Sequence, residues 1–117
     1  IAYRERQLDV SVKDCYEKAA NPENLIFSVV SEQSREDLHA DLSFIPKEQL
    51  VYRKYDLSKY RGVLWSREKT TQVSEDYDFI LYTCGHNLFQ QNWDEIVLEE
   101  YKKAAIKNRT RNIFGLI

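Results

Sequence analysis

The chain has 117 residues, of which 43% are hydrophobic and 31% charged, and its formal net charge is -2. This length suits one domain with one core. The near-neutral charge excludes a general electrostatic attraction to nucleic acid or membranes, and no apolar run approaches the roughly 20 residues needed to cross a bilayer. No signal peptide is recognisable, and only two cysteines, Cys15 and Cys84, occur. Together these features predict reduced thiols in a cytoplasmic, intracellular protein.

The first half of the chain predicts a helix, a strand and a loop. Residues 8–19 place apolar side chains on one face at helical spacing; Asp9 or Ser11 can cap the start, and Asn21-Pro22 ends the helix. Residues 25–30, LIFSVV, form an apolar run that predicts a strand covered on both faces and ending at 31–33. Residues 34–49 are polar and irregular, which predicts a loop with room for a short helical turn.

The second half predicts further strands and helices in alternation. Residues 50–57 alternate as in a strand, 62–73 have a helical pattern, and 78–83, DFILYT, read as another apolar strand. The clearest helix spans 93–108, with acids early and lysines late, in keeping with the helix dipole. Its aligned apolar face consists of Trp93, Val97, Tyr101 and Ala104. The last segment, NIFGLI at 112–117, begins one more strand.

Alternating strands and helices joined by short turns predict the α/β class. We expect an open, mostly parallel, Rossmann-like sheet with flanking helices. Both ends of the chain fall inside apolar segments, which predicts a partial domain with flanking parts outside residues 1–117. Such a sheet would rely on the remainder of its own polypeptide, or on a larger assembly, to cover its edges.

Four polar segments are predicted to meet at the carboxyl edge of this sheet, where open α/β folds bind ligands. They are Tyr3-Arg4-Glu5, Ser31-Glu32-Gln33, Tyr60-Arg61-Gly62 and Cys84-Gly85-His86. Arginine grips phosphate bidentately, and a glycine before a helix lets backbone N–H groups approach an anion. Glu and Gln side chains can bond a sugar or base, and His86 can bind a divalent metal or a phosphate oxygen. The combination predicts a phosphorylated, nucleotide-like ligand.

The order of four blocks resembles glycosyltransferase family 60, polypeptide N-acetylglucosaminyltransferases with a GT-A type nucleotide-sugar fold. The blocks are IAYRERQLDVSVKDCYEKAANPENLIFSVVSEQ, YRGVLWSREKT, DYDFILYTCGHNLF and NWDEIVLEE. In order, they resemble the family's opening strand with its Ser-Tyr-Arg-Asp type turn, its Ala-Arg-Gly…Trp-Ala-Arg block, the strand carrying the Asp-Ser-His metal motif, and the Gly-Trp-Asp helix. Together they cover nearly the whole chain.

This resemblance implies that residues 1–117 are the donor-binding, N-terminal half of a glycosyltransferase-like domain. The implied donor is a UDP-sugar, foremost UDP-N-acetylglucosamine, and the implied acceptor is a hydroxyl group that can belong to a protein. Arg4 and Arg61 would neutralise the diphosphate, while Tyr3 and Gln33 would contact base or ribose. The full implied set of donor-site residues is Tyr3, Arg4, Glu5, Glu32, Gln33, Arg61, Gly62, Arg67, Cys84, Gly85 and His86.

The metal motif departs from the family's pattern. Cys84 stands where the motif has aspartate and Gly85 where it has serine, which leaves His86 as the implied ligand for Mn²⁺ or Mg²⁺. These hard ions prefer oxygen ligands, so the implied metal site has lost its main ligand. Glu5 also stands where an aspartate is usual.

Other interpretations follow from these departures. A catalytically degenerate glycosyltransferase fold, kept as a binding or structural module, is the alternative to an active enzyme, and an unrelated nucleotide-binding domain is a third. For single residues, His86 can equally be a hydrogen-bonded turn histidine, and Arg61 and Arg67 can be surface cations. Cys84 reads as a small buried residue rather than a nucleophile, because no base is placed beside it.

Overall fold

The computed structural model of the chain describes residues 2–3, 7–32, 41–59, 61–72 and 77–107. Within these ranges a parallel sheet has the strand order β1-β2-β3, formed by β1 (Ala2–Tyr3), β2 (Phe27–Glu32) and β3 (Leu50–Tyr55). The α-helices are α1 (Leu8–Lys18), α2 (Val63–Thr71) and α3 (Trp93–Lys107). Short 3-10 turns span Pro22–Asn24, Lys47–Gln49 and Leu57–Lys59. The predicted α/β class with a parallel sheet and flanking helices is confirmed.

Helix α1 forms as its apolar spacing predicts, but its start differs. Leu8, Val12 and Cys15 are buried on one face. The helix begins directly after Gln7, whose side chain makes no capping hydrogen bond. The predicted cap at Asp9 or Ser11 is therefore wrong. Ser11 lies one turn inside the helix, where its hydroxyl bonds a distant carbonyl instead of the local backbone.

The core joins one face of α1 to one face of β2. Leu8 and Val12 of the helix pack with Val29 of the strand, and Leu42 and Ile45 of the following loop close the cluster. Burying an aliphatic side chain of this size stabilises the fold by about 1.5–3 kcal/mol. This cluster accordingly fixes the position of α1 on the sheet.

Strand β2 starts and ends two residues later than its apolar run predicts. The run begins at Leu25, whereas the strand begins at Phe27. The Nε2 group of Gln49 donates to the carbonyl oxygens of Pro22 (2.6 Å) and Leu25 (2.7 Å). These bonds hold the start of the apolar run in the turn before the strand, and the ladder continues to Glu32.

Strand β3 and helix α2 confirm their predicted patterns. In β3 the side chains of Val51, Arg53 and Tyr55 are half-buried, whereas those of Tyr52 and Lys54 are exposed. Helix α2 ends at Thr71, and the predicted last residue, at 73, lies outside the described residues. The 3-10 turn Lys47–Gln49 is the short helical turn expected within the polar loop.

Helices α1 and α2 cover opposite faces of the sheet. The Ser28 hydroxyl donates to the carbonyl oxygen of Thr70 in α2 (2.9 Å), whereas its neighbour Val29 packs against α1. Successive side chains of a strand point to opposite faces, so β2 lies between two helical layers. This arrangement is the one that βαβ connections produce.

The predicted strand at 78–83 is wrong. These residues form no ladder, and Phe79 and Ile80 are each about half exposed. A strand needs a neighbouring edge within hydrogen-bonding distance, and among the described residues β1 pairs at only two positions on that side of the sheet. Helix α3 is confirmed, with its predicted apolar face half-buried. The predicted strand at 112–117 lies outside the described residues.

Candidate functional site

The carboxyl ends of the three strands are aligned at one edge. Tyr3, the last residue of β1, pairs in register with Glu32 of β2, and Glu32 pairs with Tyr55 of β3. Two of the predicted donor-site positions, Tyr3 and Glu32, are therefore adjacent on the backbone. Arg4, Glu5 and Gln33 lie outside the described residues. The edge itself is where open parallel sheets bind ligands.

Gly62 and Arg61 lie between β3 and α2, at the start of the helix. Gly62 is the residue before the first turn of α2 and has φ of 97°, a conformation that side-chain-bearing residues rarely adopt. Its carbonyl oxygen accepts the N–H of Ser66 at 3.3 Å. Arg61 is exposed. Because α2 returns across the sheet after a parallel strand, its N-terminal N–H groups and Arg61 lie at the carboxyl edge.

Arg67 contacts the segment that precedes Cys84. It lies more than one turn into α2, and its guanidinium carbon is 4.7 Å from the centre of the Tyr82 ring. A cation over a tyrosine face gains about 0.5–1 kcal/mol at an exposed site. Arg67 thus links α2 to residues 77–86, and its guanidinium lies over the Tyr82 ring.

Cys84, Gly85 and His86 form a turn docked on α1, and not the tip of a strand. The Ser11 hydroxyl donates to the buried carbonyl oxygen of Gly85 (2.9 Å), and the Asn87 amide donates to the Thr83 hydroxyl across the turn. The side chains of Cys84 and His86 are exposed. The first half of α1 therefore sets the position of this turn.

A second set of bonds fastens the chain after this turn along α1. The Phe89 N–H donates to the Asp14 carboxylate (2.6 Å), and the Trp93 indole N–H donates to the Cys15 carbonyl (2.8 Å). Lys18 is 2.7 Å from the other carboxylate oxygen of Asp14. The hydrogen bond from Lys18, with that from Phe89, holds the pKa of the Asp14 carboxyl below its usual value.

Asp94 links the start of α3 to the C-terminal end of α1. Its carboxylate accepts the backbone N–H groups of Ala20 (2.8 Å) and Asn21 (2.9 Å). Burial acts to raise the pKa of the Asp94 carboxyl, but hydrogen bonds from the backbone N–H groups of Ala20, Asn21, Glu95 and Asp94 itself together outweigh burial, and the pKa lies below its ordinary value. The acid at the second residue of α3 is the sequence signal for this role, since helix starts favour acids.

The two cysteines differ in surroundings, and both are free thiols. Burial raises the pKa of the Cys15 thiol to about 12, and the negative charges of Asp14 and Asp94 act in the same direction. Cys15 is therefore the inert core residue that the helical pattern predicts. Cys84 is exposed, which corrects its expected burial at a strand end.

The residues around His86 do not fit a magnesium or manganese site. In the described ranges no group of three or more His, Cys, Asp or Glu side chains could hold a metal ion. The neighbours of His86 in the turn are a thiol and a glycine, and these ions select carboxylate, carbonyl and water oxygens.

None of the helices among the described residues is long and apolar enough to span a membrane. Comparison of the chain with models of protein families, with curated proteins and with solved structures finds no significant match.

Proposed function

We propose that this chain is the donor-binding half of a GT-A type glycosyltransferase-like domain that binds a nucleotide-sugar and transfers its sugar to a hydroxyl acceptor. UDP-N-acetylglucosamine is the donor we favour, on the strength of the four ordered sequence blocks, and a protein is the acceptor class. The observation that supports it best is the alignment of Tyr3, Glu32 and Tyr55 at one edge, followed by Arg61 and the start of α2.

Arg61 and the start of α2 carry the charge chemistry in this proposal. A diphosphate brings negative charge to the edge, and an arginine fork with free helix N–H groups can bond its oxygens. Gly62 has no side chain, and the space where its Cβ would be is open, with no atom within 4 Å. A phosphate group can therefore come close to the backbone at the start of α2. Arg4 would help Arg61 to neutralise the diphosphate, and Tyr3 and Gln33 would contact base or ribose. Hydrogen bonds to charged groups contribute about 1.5–3 kcal/mol each, so the loss of one such contact is expected to weaken binding at least about tenfold.

Titration calorimetry of the chain with UDP-N-acetylglucosamine and with UDP tests this proposal. We expect binding that weakens at least tenfold in Arg61→Ala and stays unchanged in Lys102→Ala, a matched removal of one exposed positive charge on α3. Equal weakening in both variants would show a general charge effect, and no binding of either ligand would refute the donor site.

The second candidate is a catalytically degenerate fold that serves as a binding or structural module. It is favoured by the thiol of Cys84 and by Gly85, whose carbonyl oxygen accepts a hydrogen bond from the Ser11 hydroxyl. This candidate predicts that Cys84→Asp gains Mn²⁺ binding that the natural chain lacks, whereas Cys84→Asn, of the same shape but uncharged, does not. Tight Mn²⁺-dependent donor binding by the unaltered chain would exclude it.

The free state of both cysteines is consistent with a reducing, cytoplasmic compartment, which we include in the proposal. Nucleic acid and membranes are not expected partners of a chain with net charge -2.

A further inference from the structure

The hydroxyl group of Ser31, near the end of β2, is buried without a hydrogen-bond partner among the described residues. The relative exposure of Ser31 is 0%, so water does not bond this hydroxyl from the surface. A buried hydroxyl that makes no hydrogen bond destabilises the folded chain, and native proteins keep few such groups. The group is therefore a candidate for a bond to a ligand.

Ser31 lies on the face of the sheet that α1 covers, beside the start of that helix. Val29 is two residues earlier on the same face of β2 and packs with Leu8, the first residue of α1. Two residues along a strand span about 7 Å toward the carboxyl edge. Because α1 returns across the sheet after a parallel strand, its first turn also lies toward that edge. The Ser31 side chain is thus directed to the N-terminal end of α1.

The start of α1 supplies hydrogen-bond donors and positive charge. The first backbone N–H groups of an α-helix have no partner within the helix. Helix α1 has 11 residues, and the side chain of Gln7, which precedes it, makes no capping hydrogen bond. Free N–H groups and the positive end of the helix dipole together favour a bound anion.

Lys54 adds a full positive charge on the same face. It pairs in register with Ser31 on the neighbouring strand β3, and adjacent strands lie about 4.8 Å apart. Paired residues of parallel strands direct their side chains to the same face, so the Lys54 ammonium group lies on the α1 side. Lys54 is exposed. Its flexible stem can move aside and let an oxygen atom reach the buried hydroxyl.

We propose that the Ser31 hydroxyl, the Lys54 ammonium group and the N–H groups at the start of α1 bind a phosphate group. All three are hydrogen-bond donors, and phosphate oxygens are acceptors. Asp9, the acid in the first turn of α1, opposes the anion and limits its affinity. The site lies on the α1 face, whereas Arg61 and the start of α2 belong to the opposite face. It therefore goes beyond the proposed donor site.

Calorimetric titration with inorganic phosphate at constant ionic strength tests the site. We expect saturable binding that weakens at least about tenfold in Ser31→Ala, because one hydrogen bond to a charged oxygen is lost. Lys54→Met, which keeps the stem, is expected to weaken it about threefold, and Asp9→Asn to tighten it about twofold. Ser28→Ala is the matched control, since the Ser28 hydroxyl faces α2 and bonds the Thr70 carbonyl. We expect it to leave phosphate binding unchanged.

Urea unfolding without phosphate separates this role from a structural one. The Ser31 hydroxyl makes no bond to lose, so Ser31→Ala is expected to keep or raise the unfolding midpoint, whereas Ser28→Ala is expected to lower it. A lower midpoint in Ser31→Ala with unchanged phosphate binding would overturn the proposal. Equal weakening of phosphate binding in both serine variants, or no saturable phosphate binding, would also overturn it.

Titration of the same variants with UDP identifies the source of the phosphate group. Weaker UDP binding in Ser31→Ala would support a phosphate of the nucleotide as the ligand. Weaker binding of inorganic phosphate alone would support a separate phosphate ligand. Absence of UDP binding would refute the donor site, and the phosphate titration would still decide this inference.

Discussion

Removal of the Asp94 carboxylate is expected to weaken the attachment of α3 to the end of α1 and to lower stability by about 3 kcal/mol. The carboxylate accepts two backbone N–H groups, from Ala20 at 2.8 Å and Asn21 at 2.9 Å. Hydrogen bonds to charged groups are worth about 1.5–3 kcal/mol each. Ala20 is exposed, so water can replace the carboxylate, and the low end of that range applies to both bonds.

Urea unfolding of Asp94→Ala at pH 7 measures this loss, with Glu95→Ala as the matched control. Glu95 is the next acid in the first turn of α3, is exposed, and its carboxylate lies 3.5 Å from the side-chain nitrogen of Asn21. We expect its removal to cost less than about 0.5 kcal/mol. Loss of less than about 1 kcal/mol in Asp94→Ala, or equal losses in both variants, would refute the reasoning.

The pH dependence of the free energy of unfolding provides a second test of the Asp94 contribution. The pKa of Asp94 is lower in the folded chain than its ordinary value of about 3.9, so folding favours the ionised form. Its contribution is complete above that ordinary value and is lost as the pH falls through the folded-state pKa. The stability difference between the natural chain and Asp94→Ala is therefore expected to shrink below about pH 4.

Three further outcomes are expected. Gly62→Ala is expected to destabilise the chain by about 1–3 kcal/mol, measured by urea unfolding, because φ of 97° strains any side-chain-bearing residue; an unchanged midpoint would contradict this. Gln49→Ala is expected to cost about 2 kcal/mol in the same assay, since two carbonyl oxygens lose their donor, and a loss below about 0.5 kcal/mol would disprove the bonds. At pH 8, iodoacetamide is expected to label Cys84 alone in the folded chain and Cys15 only after denaturation; rapid labelling of both thiols in the folded chain would count against the burial of Cys15.

The hydrophobic pattern of the sequence was sufficient to predict the helices and strands in which apolar residues recur at a regular spacing. The apolar face of α1, the alternation along β3 and the face of α3 each follow from spacing along the chain, because each element buries the side that its sequence makes apolar. The α/β class and the parallel sheet followed from the order of these elements.

Features that depend on distant partners did not follow from local pattern. Residues 78–83 have the composition of a strand, yet strand formation depends on a free edge at the right distance, which composition does not encode. The role of Ser11 depends on Gly85, 74 positions away. The later start of β2 likewise depends on Gln49, whose side-chain amide donates hydrogen bonds to the carbonyl oxygens of two residues before the strand.

One part of the candidate site could be predicted from the sequence and another part could not. The edge at which Tyr3, Glu32, Arg61 and Gly62 lie could be predicted, because parallel strands end together and a glycine before a helix has a defined backbone role. The turn at 84–86 could not, since its position depends on how it docks on α1 and not on a strand.

An NMR titration of the chain with UDP-N-acetylglucosamine tests the proposed donor site most directly, because it reports where a ligand binds. We expect progressive, saturable shifts of the amide signals of Glu32 and Gly62 at the carboxyl edge, with Asn24 at the opposite edge unchanged. Shifts confined to Phe27–Val29 and residues 77–83, or no shifts at millimolar ligand, would contradict it.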